Sequence, residues 1–128
     1  MSTTEKRPAP LGRYSPVRVI PIDTTKLLFI SGLTSGGEAP LDIRKQSEII
    51  FGRMSELLAA EGGNLGHLVK ITAFLTDIRD YDGYNDVRNR IFGEFPAPPA
   101  SASVGIAHLV RPEARIEIEG VAVIQGHA

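Results

Sequence analysis

The chain of 128 residues contains no cysteine and no tryptophan. The missing cysteine excludes disulfides, thiolate nucleophiles and cysteine-ligated metals, and leaves the redox compartment open. Long apolar runs are missing as well. "LLFI" (Leu27–Ile30) and "VAVI" (Val121–Ile124) fall far short of the ~20 residues a bilayer-spanning helix needs. Charge of one sign is not in excess: the formal net charge is −1 and the pI about 6.3. Neither value suggests capture of nucleic acid or of an acidic membrane. The start, "MSTTEKRPAPLGRYSP", has no apolar stretch behind its charges, so it does not read as a signal peptide, and a cytoplasmic location is expected. One scarcity is local. In "PAPPASASVGIAHLV" no charged residue occurs from Pro96 to Ala107. Proline-framed turns often deliver a chain to a functional site, and this one brings no charge with it.

What is present suits a single globular domain over residues 1–128. Hydrophobic residues make up 42% and charged residues 23%, an ordinary balance for a packed chain of this size. Residues 1–13, with Pro8, Pro10 and Gly12, read as a partly ordered arm. "VRVIPI" (Val17–Ile22) reads as an edge strand, since Pro21 inside it cannot donate to a ladder. Leu27–Ser31 is a second strand after a turn at Asp23–Thr25, and "SGLTSGGEAP" is a glycine-rich loop. Ile43, Ile50, Met54, Leu57 and Leu58 recur at helical spacing. Gly62 and Gly63 end that helix. His67–Leu75 is rich in β-branched and aromatic residues and reads as a strand. A second helix is predicted from about Asp80 to Phe92, with Tyr84, Val87 and Ile91 on one face and Asp77 or Asp80 as the cap. Strands over about Ala102–Leu109 and Arg115–Ile124 complete the order β-β-α-β-α-β-β.

Two helices cannot cover both faces of a five- or six-stranded sheet, so both are expected on one face of an α+β fold. In the last strand Ile116, Ile118, Ala122 and Ile124 point one way, and Glu117, Glu119, Val121 and Val123 the other. In His67–Leu75, Val69, Ile71, Ala73 and Leu75 alternate with Leu68, Thr72 and Phe74. The face without helices is therefore largely apolar, and its cheapest cover is another copy of the chain.

Candidate chemistry is sparse. Glu117 and Glu119 stand two apart on one strand face, about 7 Å between them. A carboxylate on a face that becomes buried gains a raised pKa and can act as a general base. A solvated pair at the sheet rim is the commoner arrangement. His67 and His108 lack a third ligand at helical or strand spacing, so no metal is expected. "SGLTSGG" has neither the Lys-Ser/Thr of a P-loop nor a helix directly behind it. The basic residues are scattered without interleaved aromatics, so no nucleic-acid partner is expected. Nothing in the sequence implies a cofactor.

Together, "GRYSP" (Gly12–Pro16), "LLFISGLT" (Leu27–Thr34), "LVKITAFLTDIRDYDGYNDV" (Leu68–Val87), "PAPPASASV" and "RIEIEGVAV" resemble, in order and spacing, the RidA (YjgF) family. The resemblance runs from about Gly12 to Ile124. It implies a chorismate-mutase-like fold, assembled as a homotrimer with sheets at the centre, helices outside and a small-molecule cleft between subunits. It also implies, for active members, hydrolysis of short-lived 2-imino acids by addition of water to the C=N carbon. Matched residue by residue, Tyr14 corresponds to the lid tyrosine and Ser31 to the serine of the "SG" turn. Asn85 corresponds to the asparagine of the second helix, and Glu117 to the carboxylate that orients water.

One position departs from that pattern. The deaminase motif is Pro-Ala-Arg-Ser, whose arginine grips the substrate carboxylate, and this chain has Pro99-Ala100-Ser101-Ala102. Ser101 replaces the arginine, and Ser103 stands where many members have cysteine. A serine hydroxyl makes one neutral bond where a guanidinium makes a charged fork. The resemblance therefore points to an arginine-less subgroup outside the proven imine deaminases, weak on 2-iminobutanoate. Such a protein would act on another imine or enamine, or would only bind or sense a metabolite. Arg13, in place of the family's proline beside Tyr14, is a possible substitute anchor. A ribonuclease or chaperone role, also proposed in the family, finds no support in the charge pattern.

Overall fold

A computed structural model describes residues 12–36 and 42–126. Most of the N-terminal arm, the end of the glycine-rich loop and His127 lie outside the described residues. The elements follow the expected order: β1 (Val17–Ile22), β2 (Thr25–Leu33), α1 (Ile43–Ala59), β3 (Leu68–Leu75), α2 (Tyr81–Phe92), β4 (Ala100–Gly105) and β5 (Ile116–Gln125). They form one five-stranded sheet in the order β1-β2-β5-β3-β4. All pairs are antiparallel except β3 with β4. The edge position expected for Pro21 is met, since β1 pairs only with β2. No helix among the described residues is long and apolar enough to cross a membrane.

Both helices pack on one face. Leu28, Ile30, Ile71, Leu75, Ile116 and Ile118 meet Ile50, Phe51, Met54, Leu58, Tyr84 and Val87 in a single core. Phe51 is its centre, stacked on Tyr84 at 6.3 Å and edge-on to Phe92 at 5.4 Å, separations typical of favourable aromatic pairs. Helix α1 starts where the Asp42 carboxylate accepts from the Lys45 backbone N–H at 2.8 Å. It ends at Ala59 with Ala60 as its cap, and the chain then turns away at Gly62, whose φ of 85° is open to glycine at no steric cost. The two helices approach closely at Gly83, where a Cβ would stand 2.6 Å from Ile43 Cγ2. Gln46, buried on α1, accepts from the Arg115 N–H at 2.9 Å and donates to the Glu113 carbonyl at 3.3 Å. It thereby ties the 110–114 loop to the helix layer.

Three expectations change. Val69 does not share a face with Ile71. The β3–β5 register shifts between Leu68 and Lys70, so Leu68 is buried with Ile71, and Val69 is 47% exposed. A bulge adds one residue and reverses the alternation before it. Asp80 does not cap α2 with its side chain. It holds Arg115 instead, through two bonds of 2.9 and 3.0 Å, while Asp77 caps the 3-10 turn Ile78–Asp80 ahead of the helix. Finally, β4 begins at Ala100 and stops at Gly105. His108 therefore lies past the strand rather than at its end. His67 sits in a 3-10 turn before β3, where its Nδ1 accepts from the Asn64 N–H.

Among the described residues, no helix covers the other face of the sheet. Phe29 and Val104 are exposed there, and Val121 and Val123 are partly so.

Candidate functional site

The bulge in β2 creates the first half of the site. The β2–β5 register shifts between Ile30 and Leu33, and the skipped pair is Ser31-Gly32. Ser31 donates its Oγ hydrogen to the Ser15 carbonyl at 2.6 Å, and its N–H to the Pro16 carbonyl at 2.9 Å. Those bonds pin the segment that carries Arg13 and Tyr14, both exposed, against this end of the sheet. The Glu117 carboxylate lies directly over Gly32, and any Cβ at that position would run into it. Glu117 is half-buried on the bare face. Burial, and after it the charge of Glu119, raises its pKa above the ordinary glutamate value. Glu119 is exposed one pleat further along. It borders a cavity of about 220 Å³ with Lys70, Thr72 and Arg18.

The second half lies on the helix side. Paired residues of neighbouring strands face the same way, so Ser101 and Ser103 share the face of their partners Ile71 and Ala73. There they line an open groove of about 860 Å³ between β4 and α2, together with Tyr81, Arg88 and Phe92. Asn85 stands behind it on α2. Arg88 is the residue of this groove that the sequence reading misses. Its guanidinium donates to Ser101 Oγ at 3.0 Å and to the Tyr81 hydroxyl at 3.0 Å, and it also contacts Asn85 Oδ1. It lies over the rings of Tyr81 and Tyr84, 5.8 and 5.2 Å from their centroids. Positive charge is thus present beside Ser101 after all, delivered by a helix rather than by the uncharged Pro96–Ala107 stretch. The available signal was the spacing Tyr81, Tyr84, Asn85, Arg88, which places four hydrogen-bonding side chains on one helix face.

The structure therefore brings Asn85, Ser101 and Ser103 together, and separately Ser31 and Glu117 with the Tyr14 segment. It does not join the two groups within one chain. Ser101, Ile71, Gly120 and Ile30 lie in register across four strands, which sets the Ser31 segment about 14 Å from Ser101. Ser101 and Glu117 also face opposite sides of the sheet.

A single mixed sheet with two helices on one face is the fold this chain shares with the RidA (YjgF) proteins. The solved structure of Escherichia coli TdcF with bound serine matches it with a TM-score of 0.79 at 28% identity, over 92% of this chain and 93% of that one. The chain belongs to this family. The family model described as Endoribonuclease L-PSP matches residues 4–124. Among curated relatives, Protein DfrA of Myxococcus xanthus is 33% identical, covering 94% of this chain and 92% of its own. The 2-iminobutanoate/2-iminopropanoate deaminase of Escherichia coli is 31% identical, covering 94% of each.

Proposed function

We propose that the chain assembles as a homotrimer whose clefts bind a small metabolite and hydrolyse a reactive imine or enamine to a carbonyl compound and ammonia. The observation that carries this reading is the Glu117 carboxylate, half-buried over Gly32 with a raised pKa. Water adds to the C=N carbon while Glu117 accepts its proton. That proton passes to the nitrogen to give a carbinolamine. The carbinolamine hydroxyl then gives up its own proton, relayed by Glu117 to the amino nitrogen, the C–N bond breaks as the C=O bond forms, and ammonia leaves. A carboxylate whose pKa is drawn toward the working pH serves both steps better than an ordinary one. Relatives that carry deaminase names support the reaction class.

The divided site supports an assembly of copies, and the number three is what the family resemblance implies. Glu117 and Ser101 cannot reach one small substrate inside a single chain, and the bare apolar face invites cover by a second copy.

Ammonia release from a panel of freshly generated imines is the test. Turnover of at least one imine above the uncatalysed rate, lost in Glu117→Gln, is the expected result. Tight binding with no turnover would reduce the protein to a binder or sensor. RNA cleavage, which the family description names, would require salt-dependent retention of RNA.

A further inference from the structure

Arg88 stands apart from the arginines around it. Arg44, Arg79, Arg90 and Arg115 each reach a carboxylate, at 2.6 to 2.9 Å. Among the described residues Arg88 reaches none. Its hydrogen-bond partners, Ser101, Tyr81 and Asn85, are all neutral. A partly buried guanidinium held only by neutral acceptors keeps its charge free to meet an anion. Two tyrosine rings beneath it help to hold that charge.

A second observation lies at the same place. The Tyr84 hydroxyl is buried and makes no hydrogen bond of good geometry, although Arg88 and Ser101 are close enough to act on it. Buried hydroxyls without partners are rare in folded proteins. A cation without its anion and an orphan hydroxyl therefore stand behind the wall of the groove between β4 and α2. Asp82, at the first turn of α2, is the one described carboxylate lining that groove, and it makes no ion pair with Arg88. A purely structural brace between α2 and β4 would leave both features unexplained.

We propose that Arg88 is the anion anchor of this groove, and that the metabolite bound there carries a carboxylate seated between Arg88 and Ser101, with a short apolar body against Pro98, Pro99 and Phe92. The inference rests on the cleft reading above for the size of the ligand. It assigns specificity to a helix residue rather than to the strand position that Ser101 occupies. The anchor differs from a free arginine fork in one respect. One terminal nitrogen already gives its hydrogens to Tyr81 and Asn85, and the other gives one of its two to Ser101, so a carboxylate takes the second hydrogen of that nitrogen or the Nε–H. Ser101 then holds the guanidinium in place rather than acting as a weak substitute for it.

The experiment compares 2-oxobutanoate with its neutral amide, 2-oxobutanamide, by titration calorimetry. The acid is the ketone expected from hydrolysis of 2-iminobutanoate and is stable enough to titrate. Wild-type protein should bind the acid about tenfold or more tightly than the amide, as a charge-assisted pair allows. That preference should shrink with added salt. Arg88→Met should abolish the preference and leave amide binding little changed, while Arg88→Lys should keep part of it. The lysine variant and the salt dependence of the wild type decide the matter if the methionine variant does not fold. Equal affinity of the wild type for acid and amide, binding of neither, or a preference that survives Arg88→Met would overturn the assignment. Ammonia release is scored separately with Glu117→Gln. Arg88-dependent acid binding without any turnover would sink the hydrolase reading and leave the anchor standing. Turnover with no Arg88-dependent preference would do the reverse.

Discussion

Glu117 and Glu119 share a strand face but not an environment, and their substitutions should separate. Glu117→Gln should lower ammonia release by about 10²–10⁴-fold, the usual worth of a general base, while Glu119→Gln should change it far less. Equal losses in the two variants would dissolve the distinction. Glu117 also leaves a signature in stability. Its pKa is raised in the folded chain by burial and by Glu119, so above the ordinary glutamate pKa the native state binds more protons than the unfolded one. Stability must fall as pH rises through that interval. Glu117→Gln should flatten the fall, read as a gain in Tm over wild type that is larger near about pH 7 than near about pH 4. At this scale half of the site is legible in the sequence. Glu117 and Ser31 are read from motifs that keep their spacing along one strand. Arg88 is not legible, because its meaning lies in a bond to Ser101, thirteen residues away on another element.

Elements are read from the chain where their two faces differ. Strand β5 sorts cleanly, since Ile116 and Ile118 alternate with Glu117 and Glu119. Strand β3 does not, because Leu68, Val69 and Ile71 are all apolar, and nothing in their order marks the bulge that turns Val69 outward. Gln46 is hidden for the opposite reason. A polar residue within α1 reads as solvent-facing, yet it is buried to satisfy the backbone of the 110–114 loop. The contact between the helices makes its own prediction. Gly83→Ala improves helix propensity by up to about 1 kcal/mol, but it sets a methyl group against the stiff, β-branched Ile43. Overpacking of that kind costs about 1–3 kcal/mol, so urea denaturation should show a net loss. Ile43→Ala removes the opposing Cγ2, and the double variant should lose less than the sum of the two single ones.

For the whole molecule, light scattering at micromolar concentration should give about three times 13.8 kDa, and Val121→Glu, which puts a charge on the bare sheet face, should lower that mass. A well-behaved wild-type monomer would contradict the divided cleft. The division has a further result. If every cleft takes Glu117 from one subunit and the Arg88–Ser101 groove from its neighbour, two inactive variants can repair each other. Glu117→Gln spoils one wall, and Ser101→Glu spoils the other by filling the groove beside Arg88. Unfolded together, mixed in equal amounts and refolded, they should form hybrid rings in which about one quarter of the clefts, by random assortment around a cyclic trimer, join two intact walls. Ammonia release should then reappear from proteins that show none alone. Its size would count the chains that share a site, with no need to see the site itself.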